Sequence, residues 1–286
     1  AADIGGNMAS PRLLDLNVSI AEESNTQATA KGSVDNIFNG DGTDVFITGS
    51  TSNSDIIQLF LPPIMADFTQ LDIRSRLRKQ QADYVIEDII ANGTSQQGLA
   101  MKAVGGLNFG DFKEGFLLKE IDLDLQLTSP TTGAAKRFLI NWLPEIGPVN
   151  GKARLKGSTQ GLSLEDLSID INESGSLKVT STGRIGKIPT QKGVNISELD
   201  LDISIQAEKT KLLSTALDIP IPELGLVSAH FRINYTDDRL QFNDVDVRTS
   251  NTMGMAVALS GKVGEIPITG PEPYGDVDFR IHMTAP

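Results

Sequence analysis

The chain has 286 residues, of which 39% are hydrophobic and only 5% aromatic, and its 37 acidic side chains outnumber 25 Lys and Arg to give a formal net charge of −12. That balance argues against binding nucleic acid or an anionic membrane surface through charge. With no cysteine, disulfide staples, thiol catalysis and zinc-thiolate sites are excluded, while the redox compartment stays open.

Ala1 to Asn7 has neither the basic nor the apolar region of a signal peptide. Leu14, Leu16, Val18 and Ile20 then alternate with polar residues, the period-two mark of a strand, and Ala28, Ala30, Gly32 and Val34 continue it more weakly. The run Asn39-Gly40-Asp41-Gly42-Thr43-Asp44 has the oxygen-rich look of a calcium loop. It lacks the closing glutamate of an EF-hand and falls at a hairpin position, which favours a turn. Ser54 to Phe60 reads as a short helix stopped by Leu61-Pro62-Pro63-Ile64. Leu71, Ile73 and Leu77 mark a strand, as do Leu99, Met101, Ala103, Gly105 and Leu107. Ile121, Leu123, Leu125 and Leu127 interleave with Asp122, Asp124, Gln126 and Thr128, so that one face is aliphatic and the other acidic or polar.

Ala134 to Trp142 repeats the short helix before Leu143-Pro144-Glu145-Ile146, and Ala153 and Leu155 mark the strand that follows. Leu177, Val179, Ser181, Gly183 and Ile185 form the next strand. Leu199, Leu201, Ile203 and Ile205 then interleave with Asp200, Asp202, Ser204 and Gln206. Lys209 to Leu217 is the third short helix, ahead of Ile221-Pro222-Glu223-Leu224. Phe231 and Ile233, then Met255, Val257, Leu259, Gly261 and Val263, then Val277, Phe279 and Ile281, complete the strands.

One spacing recurs through this series. Asp15/Leu16 precede Gly32, Asp88/Ile89 precede Gly105, Asp166/Leu167 precede Gly183, and Asp244/Val245 precede Gly261, each glycine lying seventeen positions after its Asp. The Asp-to-Asp offsets are 73, 78 and 78 residues, the signature of a copied supersecondary module. The expected fold is all-β: an elongated, curled antiparallel sheet, an open trough built from repeats of about 78 residues with one short helix each. On the order of 15 strands at roughly 4.8 Å spacing would span on the order of 70 Å. The boundaries that follow are 1–53 for the back half of a partial repeat, then 54–133, 134–208 and 209–286, as one continuous array. Beginning and ending inside a repeat, without a starting Met, the chain reads as an excerpt of something longer. The glycine on the apolar face implies a bulge, or a sharp bend or close approach by a neighbouring chain or ligand. The recurring aspartates read as strand-start or turn residues on the wet face.

Catalytic constellations are scarce, and no enzyme activity, metal or cofactor is expected. His230 and His282, the only histidines, are far apart and outside any metal-ligand spacing, and His230 reads as a solvated strand residue. Five Asn-x-Ser/Thr sequons begin at Asn17, Asn92, Asn172, Asn195 and Asn234, the number a chain rich in these residues acquires by chance. The longest weakly charged apolar stretch, Phe138 to Pro148, is far short of the roughly 20 residues a spanning helix needs.

An amphipathic sheet must cover its apolar face. Either it curls until its own side chains and short helices fill the interior, or part stays open as a lining for acyl chains. The candidate lining comprises Leu71, Ile73, Met101, Leu107, Ile121, Leu123, Leu125, Leu127 and Leu155 in the first half of the chain. In the second half it comprises Ile169, Val179, Ile185, Leu199, Leu201, Ile203, Ile205, Phe231, Ile233, Val245, Val257, Leu259, Val263, Val277 and Phe279.

The run Leu143-Pro-Glu-Ile-Gly-Pro-Val-Asn-Gly-Lys-Ala-Arg-Leu155, with Leu162-Ser-Leu-Glu-Asp-Leu-Ser-Ile169 and Ser181-Thr-Gly-Arg-Ile-Gly186, resembles the repeating unit of AsmA-like proteins of Gram-negative envelopes. Ile221-Pro-Glu-Leu-Gly-Leu-Val227, Leu240-Gln-Phe-Asn-Asp-Val-Asp-Val247 and Leu259-Ser-Gly-Lys-Val-Gly264 are similar. The first complete repeat departs from the pattern at Pro63 and in lacking a following glycine-proline pair. The resemblance implies a periplasmic protein anchored in the inner membrane, whose stacked modules form a hydrophobic groove carrying phospholipids between inner and outer membranes. The implied partners are phospholipid acyl chains, both membranes through parts of the parent outside this chain, and other envelope proteins. The alternative is a self-packed structural or assembly scaffold of the envelope that binds proteins through strand edges.

Overall fold

A computed structural model of the chain describes residues 1–22, 25–53, 55–56, 68–110, 117–135, 145–173, 176–188, 198–211, 214, 225–236, 239–251, 254–267 and 275–285. The described residues are almost entirely strand. In chain order these are β1 (Ala2–Asn7), β2 (Ser10–Glu22), β3 (Thr26–Val34), β4 (Asp44–Thr51), β5 (Phe68–Gln80), β6 (Asp83–Ser95), β7 (Ala100–Phe109) and β8 (Leu118–Ser129). They continue as β9 (Val149–Ser158), β10 (Gly161–Glu173), β11 (Leu177–Ile188), β12 (Glu198–Ala207), β13 (Leu226–Thr236), β14 (Arg239–Ser250), β15 (Ala256–Pro267) and β16 (Val277–Thr284). They form a single antiparallel open sheet whose order is the chain order, the result expected of successive hairpins with one-sided alternation. The chain divides into two compact units: Ala1–Leu127 with Leu155–Gln160, and Thr128–Arg154 with Gly161–Pro286.

Most of the three expected helices lies outside the described residues. Asp55 and Ile56, and Thr210, Lys211 and Ser214, are helical, whereas Ala134 and Ala135 lie in a turn. Among the Pro landmarks, only Glu145 and Ile146 are described.

The recurring aspartates are not at strand starts or turns. Asp88, Asp166 and Asp244 lie inside β6, β10 and β14, and each has a positive φ, 54°, 50° and 53°. Asp tolerates this left-handed conformation because its short side chain escapes the clash that excludes bulkier residues. At these positions the pairing to the following strand slips, between Ile86 and Ile89, Leu164 and Leu167, and Phe242 and Val245. β2 slips likewise between Leu13 and Leu16. Each Asp therefore belongs to a bulge, an extra residue that restores the next apolar side chain to the same face.

The glycine stands opposite the residue after that Asp: Leu16 with Gly32, Ile89 with Gly105, Leu167 with Gly183, Val245 with Gly261. Gly183 has φ 149°, and a Cβ there would lie 2.0 Å from the carbonyl oxygen of Asp200 on the adjacent strand. The corresponding distances are 2.0 Å from Gly32 to Asp44, 2.1 Å from Gly105 to Asp122 and 2.0 Å from Gly261 to Asp278. The close approach is thus made by the next strand of the same sheet, and a side chain at this position would collide with its backbone.

Burial concentrates at strand ends. In the first unit Thr51, Phe68, Leu71, Ser95 and Leu99 are buried where β4 and β6 end and β5 and β7 begin. In the second unit Val149, Ile171, Leu177, Ala207 and Val227 are buried at the corresponding ends of β9 to β13. These are the ends joined to segments 52–67, 130–148 and 208–225.

Replacing Gly183 by Ala should lower unfolding stability by about 3 kcal/mol through backbone overlap and φ strain. Gly161→Ala is the control, since an added Cβ there meets nothing within 4 Å. Asp166→Gly should be tolerated within ~0.5 kcal/mol and Asp166→Val should cost about 1–2 kcal/mol, because only the latter places a β-branched residue at positive φ. Urea unfolding followed by far-UV circular dichroism measures all four.

Candidate functional site

In an antiparallel pair, residues directly opposite share a face. Tracing these pairs across the second unit gives unbroken apolar rows. Ile171 faces Val179, Val179 faces Ile205, Ile205 faces Ala229, Ala229 faces Val247, Val247 faces Leu259, and Leu259 faces Ile281. A second row runs Leu167, Gly183, Leu201, Ile233, Phe242, Val263, Val277. Between them Ile169, Ser181, Ile203 and Phe231 lie opposite one another. Ile185 and Leu199, and Thr249 and Val257, belong to the same face. Most of these side chains are half-buried. On β16 exposure rises to 62% at Val277 and 64% at Ile281.

The first unit carries a corresponding face. Leu71 stands opposite Gly93 and Gly93 opposite Met101, Ile73 opposite Ala91, and Leu77 opposite Ile86, which faces Leu107. An added Cβ on Gly105 would come within 3.0 Å of Leu123 Cα, which puts Leu123 at the register of that glycine. Strand alternation brings Ile121, Leu125 and Leu127 to the same side of β8. Leu155 is half-buried on the β9 face it shares with Ala153 and Val149. Of the candidate lining, Leu71 is 93% buried by the strand-end packing, at 7% exposure, and is therefore core.

The pattern of single-period alternation missed Ile86, Ile171, Phe242 and Val247, which share these faces. The bulge at Asp88 and Asp244 breaks the period and cuts Ile86 and Phe242 off from the residues beyond it, whereas Ile171 and Val247 continue the alternation of Ile169 and Val245. The legible signal was an apolar residue, any residue, Asp, then an apolar residue, as in Phe242-Asn243-Asp244-Val245.

The opposite face is polar and held by diagonal ion pairs. Arg76 grips Asp44 through two hydrogen bonds, Nε to Oδ1 at 2.7 Å and Nη2 to Oδ2 at 2.6 Å. Arg232 grips Asp200 with the same two lengths, and Asn234 donates a third bond to Asp200 Oδ1 at 3.0 Å. These donors hold both carboxyls below the usual carboxylate range against the opposing effect of partial burial. His230 lies on this face, exposed, with Nε2 3.0 Å from Asp202 Oδ1. A depression of about 550 Å³ also lies on the polar side, where Thr48, Ser50, Asp72, Arg74, Asn92 and Lys102 contribute to its wall. Of the expected apolar lining only Ile73 borders it.

The oxygen-rich segment is a turn closed by the bridge between Asn36 and Asp41. Lys79 donates to Asp41 Oδ1 at 2.9 Å and to the Asn39 carbonyl at 2.6 Å, so a side-chain ammonium engages two of the segment's oxygens. Among the described residues no group of three or more His, Asp or Glu could hold a metal ion, and no helix is long and apolar enough to cross a membrane.

Compared with protein-family models, curated proteins and solved structures, the chain matches none.

Because the folded carboxyl of Asp200 titrates below its unfolded value, the Arg232 pair contributes stability above about pH 4 and loses it as pH falls through the depressed value. In Arg232→Ala the Asp200 titration midpoint, read by carboxyl-carbon NMR, should rise toward about 3.9, while the midpoint of Asp44 on the other unit stays low. The thermal stability of the variant should change little, since the pair is largely solvated.

Proposed function

We propose that this chain is a section of a lipid-binding groove: an array of about 78-residue modules, each with a short helix, in a periplasmic AsmA-like protein that carries phospholipid between inner and outer membranes. The observation that supports this reading is the apolar face of the second unit, continuous from β10 to β16 and only half-buried. Among the described residues, the strands make their extensive contacts with their sheet neighbours. At roughly 25 cal/mol per Å², covering every 40 Å² of it with an acyl chain would contribute about 1 kcal/mol. Aliphatic rows without inward charges suit chains of variable length, and they supply a track without chemistry. The module reading is supported by bulged Asp88, Asp166 and Asp244, each followed at a fixed interval by its glycine.

On this reading the parent protein is anchored in the inner membrane, and its remaining parts meet the two membranes and other envelope proteins. A self-packed scaffold is the competing function, and the buried strand ends around Phe68, Leu177 and Val227 favour it locally.

Native mass spectrometry of the gently purified chain, with organic extraction of the same sample, separates the two. Phospholipid should be present at one or more per chain. Ile203→Asp and Val257→Asp should each lower occupancy at least tenfold while circular dichroism stays that of the parent, because the new carboxylate would have to be desolvated by the acyl chains. A folded parent chain that carries no lipid and takes up none when supplied with phospholipid would rule the open groove out in favour of the scaffold.

A further inference from the structure

The depression of about 550 Å³ on the polar side of the first unit is bordered by five consecutive strands, β3 to β7. Its shape follows from the register. One row runs Gln27, Ser50, Asp72, Asn92 and Lys102, and the next runs Thr29, Thr48, Arg74 and Ile90. The short hydroxyl side chains of Thr29, Thr48 and Ser50 leave room beside the longer Arg74, Asn92 and Lys102. The volume falls in the range of roughly 300–1,000 Å³ that small-molecule sites occupy.

Two cations border this space without a counter-charge. Among the described residues neither Arg74 nor Lys102 is in an ion pair or a side-chain hydrogen bond. The other arginines of β5 are engaged, Arg76 by Asp44 and Arg78 by Glu87. Arg74 instead lies between Thr48 and Ile90, neither of them acidic. Comparison with the second unit shows what is different. His230 holds the place of Arg74 there, opposite Ser204 as Arg74 is opposite Thr48, and two residues before the fork arginine. His230 meets Asp202 at 3.0 Å, but the place of Asp202, opposite the fork arginine, is taken by Phe46 in the first unit. Asn92 and Lys102 likewise stand opposite each other where β10 and β11 carry Asp170 and Thr180. At these three positions the first unit has two carboxylates fewer and one ammonium more. The remaining acid of the wall, Asp72, accepts from Gln70 Nε2 at 3.0 Å.

We propose that this depression binds a phosphorylated polyol of the size of a sugar phosphate. Arg74 and Lys102 hold the phosphate, whose two negative charges match two otherwise unneutralised cations. Ser50, Asn92 and Asp72 meet the hydroxyls. Thr29 and Thr48 bond each other through their hydroxyls at 2.6 Å, which uses one of the two protons and leaves the other to donate. No residue described in the wall is aromatic, so a sugar ring finds no stacking surface and charge must supply most of the affinity. In a chain of net charge −12 these two cations against one carboxylate make a locally positive basin. The groups that bind belong to the polar face, so the inference does not require the apolar face to carry lipid.

Isothermal titration calorimetry of the full chain with glucose 6-phosphate, at low ionic strength where charge is least screened, tests this. The dissociation constant should lie below about 1 mM. Glucose and inorganic phosphate should each bind at least tenfold more weakly, since each offers half of the recognised chemistry. Arg74→Ala and Lys102→Ala should each weaken glucose 6-phosphate at least fivefold. Phe46→Asp, which returns the carboxylate found at this place in the second unit, should weaken it comparably by neutralising Arg74. Arg74, Lys102 and Phe46 are exposed, and an unchanged far-UV circular dichroism spectrum would show that each variant folds. Absence of binding at 10-fold above that concentration would overturn the proposal, as would binding indifferent to all three variants. Inorganic phosphate binding as tightly as glucose 6-phosphate would overturn the assignment to a polyol.

Discussion

The structure depends on one steric constraint, the contact between a glycine and the backbone carbonyl of the next strand. At Gly183 that carbonyl, Asp200 O, occupies the space where any other residue would carry its Cβ. Directly across the other strand pair stands Leu167, the residue after the left-handed Asp166. The three positions form one local device on adjacent strands: a residue that tolerates positive φ inserts an extra step, an aliphatic recovers the correct face, and a glycine admits the neighbouring backbone. Without the extra step being absorbed at that level, Leu162 and Leu164 could not share a face with Leu167, Ile169 and Ile171, since each further single residue inverts every side chain beyond it.

Once the parity of the strands is fixed, their two faces acquire different jobs. The polar face is cross-linked by diagonal arginine forks, Arg76 to Asp44 and Arg232 to Asp200, each reaching one strand over. Such pairs are solvated and add little stability, yet their planar two-bond geometry is satisfied in one register only, so their effect is on alignment. The aliphatic face carries the hydrophobic driving force, and burial is completed at the strand ends near Phe68, Leu177 and Val227 and at a few further positions, Val45, Ile89 and Phe109. The folded units thus combine buried clusters, most of them at strand ends, with a broad half-buried face elsewhere.

Much of this was legible in the amino-acid order. Clean alternation such as Leu199 to Ile205 against Asp200 to Gln206 permits little except a one-sided antiparallel strand, and the faces traced by pairing are those that alternation implies. What alternation could not supply was the behaviour of Asp88, Asp166 and Asp244. A period-two reading stops at an insertion and resumes beyond it, so these aspartates looked like boundaries when they are interior residues. The glycine spacing was visible, but not the identity of the group approaching it, because that group is a carbonyl and carries no side-chain signature. Nor could composition distinguish Leu71 from Ile73: both are aliphatic and two apart, and only the packing at the start of β5 makes the first one core.

The placement of the bulges also bears on how such a sheet avoids being flat. Strands of twelve or thirteen residues such as β5, β6 and β10 accumulate right-handed twist, and a bulge increases that twist locally on the strand that carries it. In the second unit Asp166 with Gly183, and Asp244 with Gly261, put the extra twist at one level of the sheet. The glycine on the following strand lets that strand move in where the bulged one turns away. Twist is therefore written into the strands at fixed positions. A face curved in this way can remain ordered while only half covered, which is the physical condition an open apolar track requires.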